Sequence, residues 1–286
     1  MINKHLLNHL VKSISLITVI NKNNMTYHKC DFSDSKYIYQ YKLGSGMYGN
    51  VFKCKKINSQ LDCAIKIISK SENDIIVKQE INILQQLQKI KYNYSLLDYY
   101  QDNYYYYIVT NYISGITLYT YLQRVKKISE EKSIQIIKQL INQLMILKDN
   151  NIIHNDIKLD NIIINIQSFN VTLIDFGSSN YIDKTINYNT TLEYSPPEFL
   201  NNKIISYQND IWALGCLFYI LLTGKHPFDN NDSNNILNNI TNIDFNKHYL
   251  VNVSEKTKYI ITKMLKKNPS SRITIEELYE FFNSYI

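Results

Sequence analysis

The sequence predicts an α+β fold, and three observations carry that prediction. Leu43 to Val51 is a glycine-rich turn with apolar and aromatic residues on both sides, Tyr37 to Leu43 before it and Val51-Phe52 after it, and no helical period follows. Tyr104 to Asn111 is an aromatic and β-branched run of strand type. Against these, Asp74 to Ile90 places Ile76, Ile83, Leu84 and Leu87 at helical spacing, and Ile211 to Leu222 is nearly all apolar. That second run is too short to span a bilayer and suits a helix buried on all sides.

The elements can be justified in order. Leu6 to Ile20 is apolar but contains Lys12 and ends without a small-residue cleavage site, so an amphipathic helix is expected there and not a signal peptide. Met25 is an alternative start, and residues 1–36 are read as an N-terminal extension. Leu43-Gly44-Ser45-Gly46-Met47-Tyr48-Gly49-Asn50-Val51 then reads as a β-hairpin whose bare backbone can approach phosphates closely. An ordinary tight hairpin would not need so much glycine: the chain has only 7, and three fall at positions 44, 46 and 49. Cys63-Ala64-Ile65-Lys66 reads as a strand carrying a lysine, and on the helix from Asp74 Glu80 is the better candidate for that lysine's partner, Glu72 the weaker because it precedes the apolar stripe.

The most informative segment is His154-Asn155-Asp156-Ile157-Lys158-Leu159-Asp160-Asn161, followed after a strand-like stretch by Asp175-Phe176-Gly177. It supplies what phosphoryl transfer needs: a carboxylate to accept a hydroxyl proton, a cation for the moving phosphate, and two oxygen ligands for Mg²⁺. Further on come Thr191-Leu192-Glu193-Tyr194-Ser195-Pro196-Pro197-Glu198, Asp210-Ile211-Trp212-Ala213-Leu214-Gly215 and Asn268-Pro269-Ser270-Ser271-Arg272.

Together these segments resemble the eukaryotic-type protein kinases, over about Tyr37 to Tyr285. The resemblance implies a two-lobed fold: a small β-rich lobe with one main helix (37–110), a hinge (111–115) and a larger, mainly helical lobe (116–286). It implies ATP and Mg²⁺ as cofactors. Asp156 would be the base, Lys158 would steady the transferring phosphate, and Asn161 and Asp175 would carry the metals. Lys66 would hold the α- and β-phosphates, positioned by Glu80. The glycine loop, Leu43 to Val51, would cover the phosphates. Val51, Ala64 and Ile163 would sandwich the adenine, Thr110 would be the gatekeeper, and the backbone of Asn111 and Ile113 would meet the adenine edge. His154 and Phe176 are assigned to an apolar scaffold reaching Leu84. Lysine at position 158 is the serine/threonine form, and Arg272 is expected in a buried forked pair with Glu198. The branch resembled most is that of Pim and PAS kinases, near the calcium/calmodulin-dependent group. The chief departure is Asn155, where the family has Arg gripping an activation-loop phosphate. From Asp175 to Glu198 the only cation is Lys184, and Asn180 is neutral too.

Composition sets outer bounds. Hydrophobic content of 45% is ample for a core, and the 25 Tyr with scarce Gly, Pro and Arg read as the mark of an AT-rich genome, not of function. The net charge of +6 is spread along the chain, so a solvated surface is expected and not a nucleic-acid stripe. Cys30, Cys54, Cys63 and Cys216 lack C-x-x-C pairing, which points to free thiols in a reducing, cytoplasmic setting, that of a host cell if the gene is viral. Protein substrates as partners are what the resemblance implies. Two rival readings differ in class: a pseudokinase scaffold, disfavoured because Lys66, Asp156 and Asp175 are all present, and a small-molecule kinase, disfavoured by Thr191 to Glu198.

Overall fold

The computed structural model describes residues 36–46, 49–59, 61–70, 74–229, 236–242 and 244–284. The expected helix at Leu6 to Ile20, Cys30, Glu72, and the loop residues Met47 and Tyr48 fall outside them. The chain divides into two compact units, one of Met1–Glu72 with Ser95–Tyr112 and one of Asn73–Tyr94 with Ile113–Ile286.

The first unit is an antiparallel five-stranded sheet. Its strands are β1 (Tyr37–Gly46), β2 (Gly49–Lys56), β3 (Asp62–Ser69), β4 (Leu96–Gln101) and β5 (Tyr105–Asn111), in the order β1-β2-β3-β5-β4. Side chains alternate across a strand, so register decides what shares a face. Tyr37, Cys54, Cys63, Ile65, Ile67, Tyr107 and Val109 form one buried cluster, with Phe52 and Tyr100 packed against it. Tyrosine does much of this packing: Tyr100 stacks on Tyr107 with ring centroids 4.6 Å apart. Two of the hydroxyls find carboxylate partners, as buried tyrosines commonly do: Tyr107 donates to Asp102 at 2.7 Å and Tyr37 to Asp98 at 3.1 Å. The opposite face carries the set of interest. Val51 pairs with Lys66, Lys66 with Ile108, and Ala64 with Thr110.

The second unit is mainly helical. It begins with α1 (Asp74–Lys89), which buries Val77, Glu80, Ile81, Ile83, Leu84 and Leu87. The expected stripe is therefore rotated slightly: Ile76 is only half-buried, because Val77 and Ile81 take the inward positions. Next come β6 (Ile116–Thr117), α2 (Leu118–Val125), α3 (Glu130–Asp149) and β7 (Ile152–Ile153). The short strands β8 (Ile162–Ile164), β9 (Val171–Leu173) and β10 (Asn180–Tyr181) follow, giving small sheets β6-β8-β9 and β10-β7. Glutamines on α3 pin β9 by its backbone: Gln139 accepts from Val171 N at 3.0 Å, and Gln143 accepts from Leu173 N at 2.9 Å.

The remaining helices are α4 (Pro197–Asn202), α5 (Tyr207–Thr223), α6 (Ile236–Asn242), α7 (Glu255–Met264) and α8 (Ile275–Asn283). In α5 every residue from Asn209 to Leu222 is buried, as the apolar run predicts. A capping box of Ser206 and Asn209 starts it, and Gly224, at φ 73°, ends it. Among the described residues no helix is long and apolar enough to cross a membrane.

Candidate active site

The approach to Asp156 is built by a buried carboxylate. Asp210, in the first turn of α5, accepts His154 N and Asn155 N, each at 2.8 Å. This curls the chain as it leaves β7, and Asn155 takes up the strain at φ 63°, a conformation its short polar side chain tolerates. Burial pushes the Asp210 carboxyl up to about 7, against the two amides, which favour its charged form.

Asp156 then sits among donors. Asn161 Nδ2 donates to its main-chain oxygen and to Oδ2, both at 2.8 Å. Lys158 Nζ lies 2.8 Å from Oδ2. Thr191 donates to Oδ1 twice, from its amide at 3.0 Å and from its hydroxyl at 2.7 Å. The same hydroxyl accepts from Lys158 Nζ at 2.7 Å. A hydroxyl flanked by a carboxylate and an ammonium is the arrangement that hydroxyl deprotonation beside a phosphate requires.

The chain returns to this spot through β9. Ile174 N donates to Asn161 O at 2.9 Å, which sets Asp175 close to Asn161 along the backbone. Asp175 has φ 64° and accepts from Gly177 N at 3.2 Å. Because Asn161 spends its NH₂ on Asp156, the carbonyl is the side-chain group it has for a cation. Asn161 and Asp175 thus present two hard oxygen donors, which suits Mg²⁺, an ion that completes its shell from phosphate and water.

Phe176 is fully buried against His154 at 4.9 Å between ring centroids, with Tyr92 and Tyr94 each at 6.1 Å. His154 is scaffold, as expected. Its Nδ1 accepts from Asp156 N at 3.3 Å and its Nε2 donates to Ile174 O at 3.2 Å, and burial lowers its pKa, so the neutral ring satisfies both contacts. Sequence reasoning missed Tyr92 and Tyr94: in a chain with 25 Tyr, no pattern singles them out.

The other site residues divide between the units. Val51, Ala64, Lys66 and Thr110 share one face of the first unit's sheet. Leu43, Gly44, Ser45, Gly46, Gly49 and Asn50 belong to the β1–β2 hairpin, with Gly46 paired to Gly49. A methyl group at Gly49 would lie 2.0 Å from Ile67 O, so packing demands glycine there. At Gly44 a methyl would meet nothing within 4 Å, so the fold does not require that bare backbone, and a phosphate approaching the loop would. The Asn111 amide is already donated to Ser95 O at 3.3 Å. In the second unit Glu80 is buried on α1, Ile163 is half-buried on β8, and Ile113 is half-buried just ahead of Gly115.

The pair expected lower in the second unit is present. Arg272 meets Glu198 through two bonds of 2.7 and 3.1 Å, with the arginine side chain 0% exposed. Its other donors reach Lys266 O, Gln208 O and Lys267 O, and the guanidinium lies 5.0 Å over Trp212.

A family model described as "Protein kinase domain" matches residues 37–282. Human death-associated protein kinase 2 is 30% identical over 253 residues, covering 82% of this chain and 68% of the relative. Serine/threonine-protein kinase PLK4 of Drosophila virilis is 28% identical, covering 85% of this chain and 32% of the relative. Aurora kinase A-B of Xenopus laevis is 29% identical, covering 83% and 59%. The chain thus spans from a third to two thirds of these relatives' lengths, and none of the three is a Pim or PAS kinase by name.

Proposed function

The chain belongs to the protein kinase family, and from that premise we propose that Asp156 is the base that takes the proton of a substrate Ser or Thr hydroxyl. The activity is ATP-dependent serine/threonine protein phosphorylation with Mg²⁺. The observation that carries the assignment of roles is the Thr191 hydroxyl, held at 2.7 Å from both Asp156 and Lys158. A substrate hydroxyl in the same relation gives its proton to Asp156 while its oxygen attacks the γ-phosphorus and ADP leaves. Lys158 steadies the transferring phosphoryl oxygens, and Asn161 fixes Asp156 through one bond to its main-chain oxygen and one to its carboxylate. Asn161 and Asp175 would hold Mg²⁺, which would supply positive charge against the phosphates.

On the nucleotide side, Lys66 binds the α- and β-phosphates and Glu80 positions it. The hairpin from Leu43 to Val51 covers the phosphates, and Ala64, Val51, Ile163, Thr110, Asn111 and Ile113 receive the adenine. The residues 37–286 form the catalytic unit, acting on protein substrates. We further place the enzyme in the cytoplasm, with no nucleic-acid partner. Supporting this are the buried free thiols of Cys54, Cys63 and Cys216 and the dispersed lysines.

The test is transfer from labelled ATP to a peptide panel with Mg²⁺, comparing wild type with Asp175→Ala. Turnover should fall by orders of magnitude while the melting temperature changes little. Equal activity in the two proteins would refute the assignment.

A further inference from the structure

A cluster of buried carboxamides, which the transfer chemistry does not use, lies along the segment leading to Thr191. Asn180 is fully buried. Its Oδ1 accepts Ile186 N at 3.1 Å, Asn187 N at 3.0 Å and Gln79 Nε2 at 3.1 Å. Its Nδ2 donates to Asn187 O at 2.6 Å and Ser178 O at 3.3 Å. One side chain therefore closes the loop from 178 to 187 on itself. Asn187, 1% exposed, extends the closure in both directions: Nδ2 donates to Gly177 O at 2.7 Å, and Oδ1 accepts Asn189 N at 2.9 Å. Asn155 joins from the catalytic loop, donating to Ser178 O at 3.4 Å and Asn189 O at 3.3 Å. Gln79 joins from α1, donating to Ser179 O at 2.7 Å.

We propose that Asn155, Asn180 and Asn187 are positioning residues that lock segment 177–191 in its substrate-ready course with no phosphate on it. Three features support this. The lock ends two residues before Thr191, whose amide and hydroxyl bind Asp156, and it includes the residue immediately before Asp156. Every partner named is a carboxamide or a main-chain group. Such bonds strengthen one another in a low-dielectric interior and owe nothing to a charge added later. A phosphate that orders a loop needs cations, Arg above all. From 175 to 198 the sequence offers only Lys184, which is exposed, and the position facing Ser178 and Asn189 is Asn155. Gln79 extends the lock to the helix that carries Glu80, so one set of neutral bonds orders both. This inference rests on the assignment of Asp156 as base.

The test uses the full chain, treated with phosphatase and shown by mass spectrometry to be bare at Thr185, Thr190 and Thr191. Hydrogen exchange should show the amides of Ile186, Asn187 and Asn189 protected at least 100-fold over unstructured chain, with peptide turnover undiminished by the treatment. Asn180→Leu should lower kcat at least tenfold, leave the KM for ATP within twofold, and speed exchange at those amides at least tenfold. Asn187→Ala should do the same more weakly, and decides the matter should Asn180→Leu not fold. Loss of activity on dephosphorylation, unprotected amides in the bare wild type, or full kcat in the folded variants would each overturn the proposal. The exchange pattern is independent of turnover, so a fully active Asp175→Ala, which would remove the assignment at the site, is distinguishable from failure of the lock.

Discussion

At the scale of single residues, the strongest prediction concerns Arg272. All of its guanidinium donors are placed, on the Glu198 carboxylate and three carbonyls, so no other side chain can replace it. Arg272→Ala strands a buried carboxylate and should cost about 3–5 kcal/mol in a urea titration. Arg272→Lys keeps the charge but has fewer donors and no fork, and should still cost about 1–3 kcal/mol. An unchanged denaturation midpoint in either would disprove the energetics. His226 makes a different prediction. Its Nδ1 accepts from Phe228 N at 3.3 Å and its Nε2 donates to Glu193 O at 3.0 Å, so only the neutral ring fits. Burial pushes its pKa down to about 4. The unfolded chain, with a pKa near 6.5, binds the proton first as pH falls, so the stability His226 contributes is complete above about 6.5 and lost progressively towards about 4. As the ring is partly open to solvent, that loss is roughly 1–2 kcal/mol. His226→Asn keeps an acceptor for Phe228 N without titrating, so its stability should fall less than wild type between pH 7.5 and pH 5. Parallel curves would count against this role.

At the scale of elements, scarcity of glycine leaves its mark on helix ends. The C-terminus of α1 has paired closing bonds, Tyr92 N to Leu87 O at 2.9 Å and Lys91 N to Gln88 O at 3.1 Å. Lys91, two residues past the helix end, has φ 56°, where glycine is ordinarily found. Lys91→Gly should therefore stabilise the protein by about 0.5–1 kcal/mol, read as a raised denaturation midpoint. A lowered midpoint would show that the lysine itself contributes there. Gly49 is the opposite case: with φ 147° and Ile67 O in the way, Gly49→Ala should distort the hairpin and weaken ATP binding. Undiminished ATP affinity in that variant would count against the role of the loop. These elements were legible in sequence because their signals are local. The helix at 74–89, the buried α5 and the glycine hairpin all follow from spacing or turn chemistry within a few residues.

At the scale of the whole molecule, every assigned site residue and the whole family match, 37–282, lie after residue 36. A chain beginning at Met25 should keep its turnover and nucleotide affinity. A large loss of either would mean that the segment before Met25 contributes to catalysis.

By itself the sequence made the proposed chemistry legible: Asp156, Lys158, Asn161 and Asp175 stand out because they fall in motifs that resemble the family's catalytic and metal loops. It also determined the secondary structure wherever one period dominates. Tertiary structure alone decided what surrounds those groups. That Asp210 curls the chain before Asp156, that Tyr92 and Tyr94 enclose Phe176, and that Asn180 and Asn187 bind a segment closed on itself could not be read from the chain. The reason is physical. Such contacts join residues far apart in sequence or depend on a loop's path, and apart from Asp210 they are made here by Tyr and Asn, types so abundant that their occurrence marks no position.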